Sequence, residues 1–133
     1  MKELAKEDKK NILNHFGKRI VEEVRDRALN ISMDIAKNTT RNPVKQKQYS
    51  SLQSLTKEQQ EAVCDLLSET VTDVIYRFLE MFEYHEAEMK LILIRNGENY
   101  DVTDLSEKMG SEIACYEDEG WIQQFSKIGR FVL

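Results

Sequence analysis

Apolar residues recur at positions 12, 13, 16, 20, 21, 24, 28, 31 and 35, the steps of three and four that line one face of a helix running from Asp8 to about Lys37. Gly17 inside it weakens the helix by roughly 1 kcal/mol relative to alanine, so a bend or a fresh start is expected there. The segment "NTTRNP" ends the helix, because Pro43 turns Asn42 away from helical geometry and the Asn and Thr side chains compete for backbone hydrogen bonds. Residues 38–55 read as a connector with one short helix over 44–53. In "LTKEQQEAV", Thr56 and Gln59 form a capping box, which starts a second helix at about Lys57. Val63, Leu66, Leu67, Val71, Val74, Ile75, Phe78, Leu79 and Phe82 keep its period, giving about 28 residues and ~42 Å of helix. "KLILIRNGENYDV" then places two β-favouring runs around Asn96-Gly97, the pair that suits a two-residue hairpin turn, and predicts strands over 90–95 and 98–102. A further helix begins at Thr103 or Asp104 with Leu105, Met109, Ile113 and Tyr116 on one face, breaks at Gly120, and is followed by a short helix and tail in "WIQQFSKIGRFVL". The fold class predicted is mainly α: a helical bundle around a long central helix (about 57–85) with one small β-hairpin (about 90–102), residues 1–133 forming a single domain.

Composition adds an electrical asymmetry. The chain is 41% hydrophobic and 32% charged, and no apolar run approaches the roughly 18–20 residues of a membrane span. "MKELAKEDKK" has no apolar stretch behind it of the kind a secretory signal needs, so the cytoplasm is the expected location, with Cys64 and Cys115 as packed free thiols. Residues 1–50 hold 12 Lys and Arg against 7 Asp and Glu, a net +5, whereas residues 51–133 hold 7 against 17, a net −10. Within the basic third, Lys18 with Glu22, Arg19 with Glu23 and Glu23 with Arg27 stand at ion-pair spacing on a solvated helix face. The acidic remainder argues against direct nucleic-acid binding, which needs a net basic footprint.

Catalytic and metal motifs fail at named positions. "HEAEM" puts Met89 where a zinc-protease helix needs its second histidine, and Phe82 stands three residues before His85 where a di-iron bundle needs Glu. "YEDEGW" supplies contiguous acids rather than the alternating oxygen ligands of a calcium loop. Cys115 lies beside acids that would raise its pKa, and Cys64 lies in an apolar-rich helix, so neither suits a nucleophile. The expectation is a protein with no catalytic residues, no metal and no cofactor.

Two acidic groups remain to be explained. Glu80, Glu83, Glu86 and Glu88 gather at the C-terminal end of the second helix, where the macrodipole disfavours negative charge by a few tenths of a kcal/mol. Glu117, Asp118 and Glu119 follow another helix and precede Trp121. With Tyr84, Tyr116 and Trp121 interleaved, both groups fit a docking surface for a basic protein, the aromatics as anchors and the acids for steering. The competing reading is solvated acids around aromatics that belong to the core.

The segments "SLTKEQQEAVCDLLSETVTDVIYRFLE", "LILIRNGE" and "SEIACYEDEGWI" resemble small bacterial proteins with a long capped helix, an Asn-Gly hairpin and a late acidic-Trp segment. The format is similar to that of an immunity protein of a polymorphic or contact-dependent growth inhibition toxin system. That resemblance, over about residues 54–124, implies a small, acidic, cytoplasmic protein that neutralises a cognate toxin domain, commonly a basic nuclease or RNase, by covering its active site or substrate groove. A monomer in a 1:1 complex is the expected form. The alternative is a helical adaptor or regulatory protein acting through protein-protein or homo-oligomer contacts along the second helix.

Overall fold

The computed structural model describes residues 4–113 and 120–128. The N-terminal amphipathic stretch is one helical rod in three parts: α1 (Lys6–Arg19), a π-helical segment (Ile20–Arg25) and α2 (Asp26–Ala36). Gly17 stays helical; the irregularity comes three residues later. There the Asp26 N–H donates to the Val21 carbonyl, five residues back. A π turn takes up one residue more than an α turn, so the phase of everything beyond it shifts by about 100°. The face predicted from an unbroken α period is therefore wrong beyond the turn: Val24, Ala28 and Ile31 point outward, Ile31 with 61% of its surface exposed, while Leu29, Met33 and Ala36 are buried. Before the turn the prediction holds, with Ile12, Leu13 and Val21 inside.

α2 ends in a Schellman motif, with Thr39 N–H donating to Asp34 O (2.8 Å), Asn38 N–H to Ile35 O (3.2 Å), and Asn38 at a φ of 60°. The short helix expected over 44–53 divides into α3 (Pro43–Gln48) and a 3₁₀ turn (Ser50–Ser54). Asn42 starts α3 by accepting the Val44 and Lys45 N–H groups, with Pro43 at the first helical position.

α4 (Lys57–Tyr84) is the central helix. Its capping box is complete: Gln59 N–H donates to Thr56 Oγ1 (3.1 Å) and Thr56 N–H to Gln59 Oε1 (2.8 Å). Its buried line is Cys64, Ser68, Thr72, Ile75 and Leu79. Leu66, Val74 and Phe78, which the apolar pattern turned inward, are exposed, because two hydroxyl residues occupy the middle of the buried line.

β1 (Ile92–Arg95) and β2 (Glu98–Asp101) pair antiparallel, with Arg95 opposite Glu98 and only Asn96 (φ 53°) and Gly97 (φ 78°) between them. Positive φ at both residues is the type I′ turn that matches strand twist. β2 runs directly into α5 (Val102–Leu105), capped by Asp101, which accepts from Thr103 N–H (3.0 Å) and Thr103 Oγ1 (2.7 Å). The single helix expected from residue 103 onward is instead α5 and α6 (Met109–Glu112), separated at extended Ser106 (φ −144°, ψ 134°). The Ser106 hydroxyl accepts the Lys108 N–H and donates to Glu112 Oε1 (3.0 Å), which fixes the break. Gly120 leads into α7 (Trp121–Phe125).

The buried apolar residues form two clusters. The larger unites Leu13 and Val21 with Ile75, Leu79, Val102, Met109, Ile113, Trp121 and Ile122; the smaller unites Leu29, Met33, Ala36 and Cys64. Arg25 meets Ser68 and Thr72 where the clusters adjoin, and Ala36 shares the smaller one with Cys64, so α2 runs antiparallel to α4. Among the described residues no helix is long and apolar enough to cross a membrane.

Candidate functional site

The acidic end of α4 divides into residues the fold uses and residues it does not. Glu83 is half-buried and its Oε1 accepts the Gly110 N–H (3.1 Å), so its charge stands at the start of α6, where the free N–H groups of a helix favour it. Glu80, also half-buried, stands close to the Tyr76 hydroxyl, and its hydrogen-bonding carboxylate first, then its charge, hold the Tyr76 pKa above its ordinary 10.0. Both acids that seemed misplaced by the macrodipole are thus engaged within the fold. Tyr84, Glu86 and Glu88 differ. α4 stops at Tyr84, His85 donates its N–H to Met81 O, and the chain turns, with Glu88 and Met89 donating their N–H groups to His85 O. Tyr84 is 74% exposed, Glu86 and Glu88 are exposed, and none of the three side chains has a hydrogen-bond or ion-pair partner among the described residues.

Trp121, expected to be an anchor, is corrected to a core residue. It is fully enclosed, meets the Phe16 ring edge-on at 5.8 Å, and lies so close over Gly17 that a Cβ there would enter the indole. Its Nε1–H finds no acceptor among the described residues, consistent with a position chosen for packing. Tyr116, Glu117, Asp118 and Glu119 lie outside the described residues, as does Cys115; Cys64 is buried as expected.

A polar cluster stands between the two apolar ones, and the apolar pattern along the chain did not reveal it. Buried Arg25 donates from Nε to Thr72 Oγ1 (3.2 Å), from Nη1 to Asp26 Oδ1 (2.9 Å) and Ser126 Oγ (3.1 Å), and from Nη2 to Ser68 Oγ (3.1 Å). Asp26 also accepts from Ser126 Oγ (2.8 Å) and from the Lys127 N–H (2.8 Å). Burial lowers the Arg25 pKa and the Asp26 charge opposes that shift. This set of groups ties α7 and the following turn to α2 and α4. Its one signal in the sequence is Ser68 and Thr72, four residues apart on an otherwise apolar face.

An open cleft of about 980 Å³ separates the start of α1 from the hairpin, with Lys9, Lys90, Asp101 and Asp104 in its wall. Lys90 Nζ lies 3.5 Å from Asp101 Oδ2, so part of this charge is internally matched. Among the described residues no group of three His, Cys, Asp or Glu is arranged to hold a metal ion. Compared with protein families, curated proteins and solved structures, the chain matches none.

Proposed function

We propose that this chain is a non-enzymatic binding protein whose docking surface is the exposed end of α4, and that its partner is a basic protein. The observation that carries the reading is the contrast within one acidic group: Glu80 and Glu83 are engaged by the fold, whereas Tyr84, Glu86 and Glu88 are presented to solvent with no side-chain partner among the described residues. An exposed aromatic flanked by acids supplies an anchor and a steering field. Together with the resemblance to immunity proteins, this favours a cytoplasmic inhibitor that occludes the active site or substrate groove of a cognate toxin domain, its acids standing where phosphates would bind.

Capture from native lysate with wild-type protein and with the Tyr84→Ala, Glu86→Lys, Glu88→Lys variant tests this. The expected result is a basic domain retained by wild type, inhibited by it, and lost with the variant, with association slowing and its salt dependence flattening. A partner held equally by both proteins would move the docking surface elsewhere, and an acidic or nucleic-acid partner would overturn the reading.

A further inference from the structure

The flank of α4 that faces away from most of its acids carries a second surface. Val63, Leu67, Thr70, Val74, Arg77 and Met81 follow the alternating steps of four and three that make a coiled-coil seam, with Phe78 beside Val74. Val74 is 61% and Phe78 53% exposed. At 100° per residue, Glu58, Glu61, Asp65, Glu69 and Glu83 project from the other side of the helix, Glu80 lies near the border, and Asp73 borders the strip with its charge matched by Arg77 (2.9 Å). The strip is also self-complementary. A two-fold axis between Thr70 and Val71 sets Val63 against Phe78 of a second copy and Leu67 against Val74 of that copy.

The charge distribution independently selects the same arrangement. Between Asp34 and Glu58 the chain has no acid and carries Lys37, Arg41, Lys45, Lys47 and Lys57. Because α2 runs antiparallel to α4, this connector crosses the N-terminal end of α4, about 42 Å from the acids at the other end by the helical rise. Antiparallel copies place each acidic end beside the other's basic connector and oppose the two macrodipoles; parallel copies place like ends together.

We infer that the chain forms a homodimer through this flank of α4, with the two helices antiparallel. The inference does not rest on the proposed inhibitor role. A seam of about 20 residues buries on the order of 1,000 Å² in total, the lower bound for a specific interface, so a reversible dimer in the micromolar range is expected.

Sedimentation equilibrium, or light scattering coupled to size exclusion, reads the mass against concentration and salt. The expected mass rises toward twice the 15.6 kDa of one chain as concentration rises, with the dissociation constant increasing in added salt. Val74→Glu, on an exposed position, should raise that constant at least tenfold while circular dichroism is unchanged. Lys45→Glu with Lys47→Glu should weaken the dimer, and adding Glu86→Lys with Glu88→Lys should restore it. A mass of one chain at every concentration up to about 1 mM would overturn the dimer. Association indifferent to Val74→Glu would overturn the seam, and association indifferent to the single charge reversal would overturn the antiparallel orientation.

Discussion

Gly17 shows how far one residue's role can lie from its local propensity. Considered alone it weakens α1, but the space where its side chain would stand is occupied by the Trp121 indole. Gly17→Ala should therefore destabilise the protein by about 1–3 kcal/mol despite the better helix former, because overpacking outweighs propensity. Urea melts would check this, and the cost should shrink in a Trp121→Leu background, where the smaller side chain leaves room. Arg25 presents the converse case, a charge kept in the interior by its partners. Arg25→Met strands Asp26, Ser68 and Thr72, and an expected loss of about 3–5 kcal/mol follows. Adding Ser68→Ala and Thr72→Val should recover part of it in the same melts, since the abandoned hydroxyls are then removed.

Among the elements, the junction of β2 and α5 carries a pH dependence of its own. Burial by itself would raise the Asp101 pKa, but hydrogen bonds from Thr103 and the nearby Lys90 outweigh it and hold the carboxyl below its ordinary 3.8. A depressed folded-state pKa contributes stability above the unfolded value and loses it as pH falls through the folded one. Wild type should accordingly exceed Asp101→Asn in stability at neutral pH, and the difference should vanish progressively below about pH 4 in a series of melts. Elements defined by neighbouring residues were legible in the sequence: the Thr56–Gln59 box that starts α4 and the Asn96–Gly97 turn both have chemistry confined to a few positions. The faces of α2 and α4 were not. Their orientation depends on Arg25 meeting Ser68 and Thr72, 43 and 47 residues away, and no window of one helix contains that information. The candidate site was legible in part. Tyr84, Glu86 and Glu88 are exposed as their composition suggested, whereas Glu80 and Glu83 are drawn into contacts with Tyr76 and Gly110 that depend on tertiary packing.

For the molecule as a whole, two apolar clusters meet across a polar layer. Leu29→Ala in the smaller cluster and Leu79→Ala in the larger should each cost about 2–5 kcal/mol. Val71 packs against both clusters, so the double mutant should equal their sum within about 0.5 kcal/mol only if that contact transmits little, and a larger coupling energy in the cycle would reveal communication through Val71 or Arg25. The π-helical segment bears on descent as well as on packing. Its surplus residue is where a length change can enter a helix without breaking it, and deletion of one residue between Ile20 and Arg25 would turn α2 back by about 100°, bringing the Val24 and Ile31 face inward. A homologue one residue shorter there should therefore carry apolar residues where this chain has Ser68 and Thr72, so that a gap in one helix and a change of polarity in another are inherited together.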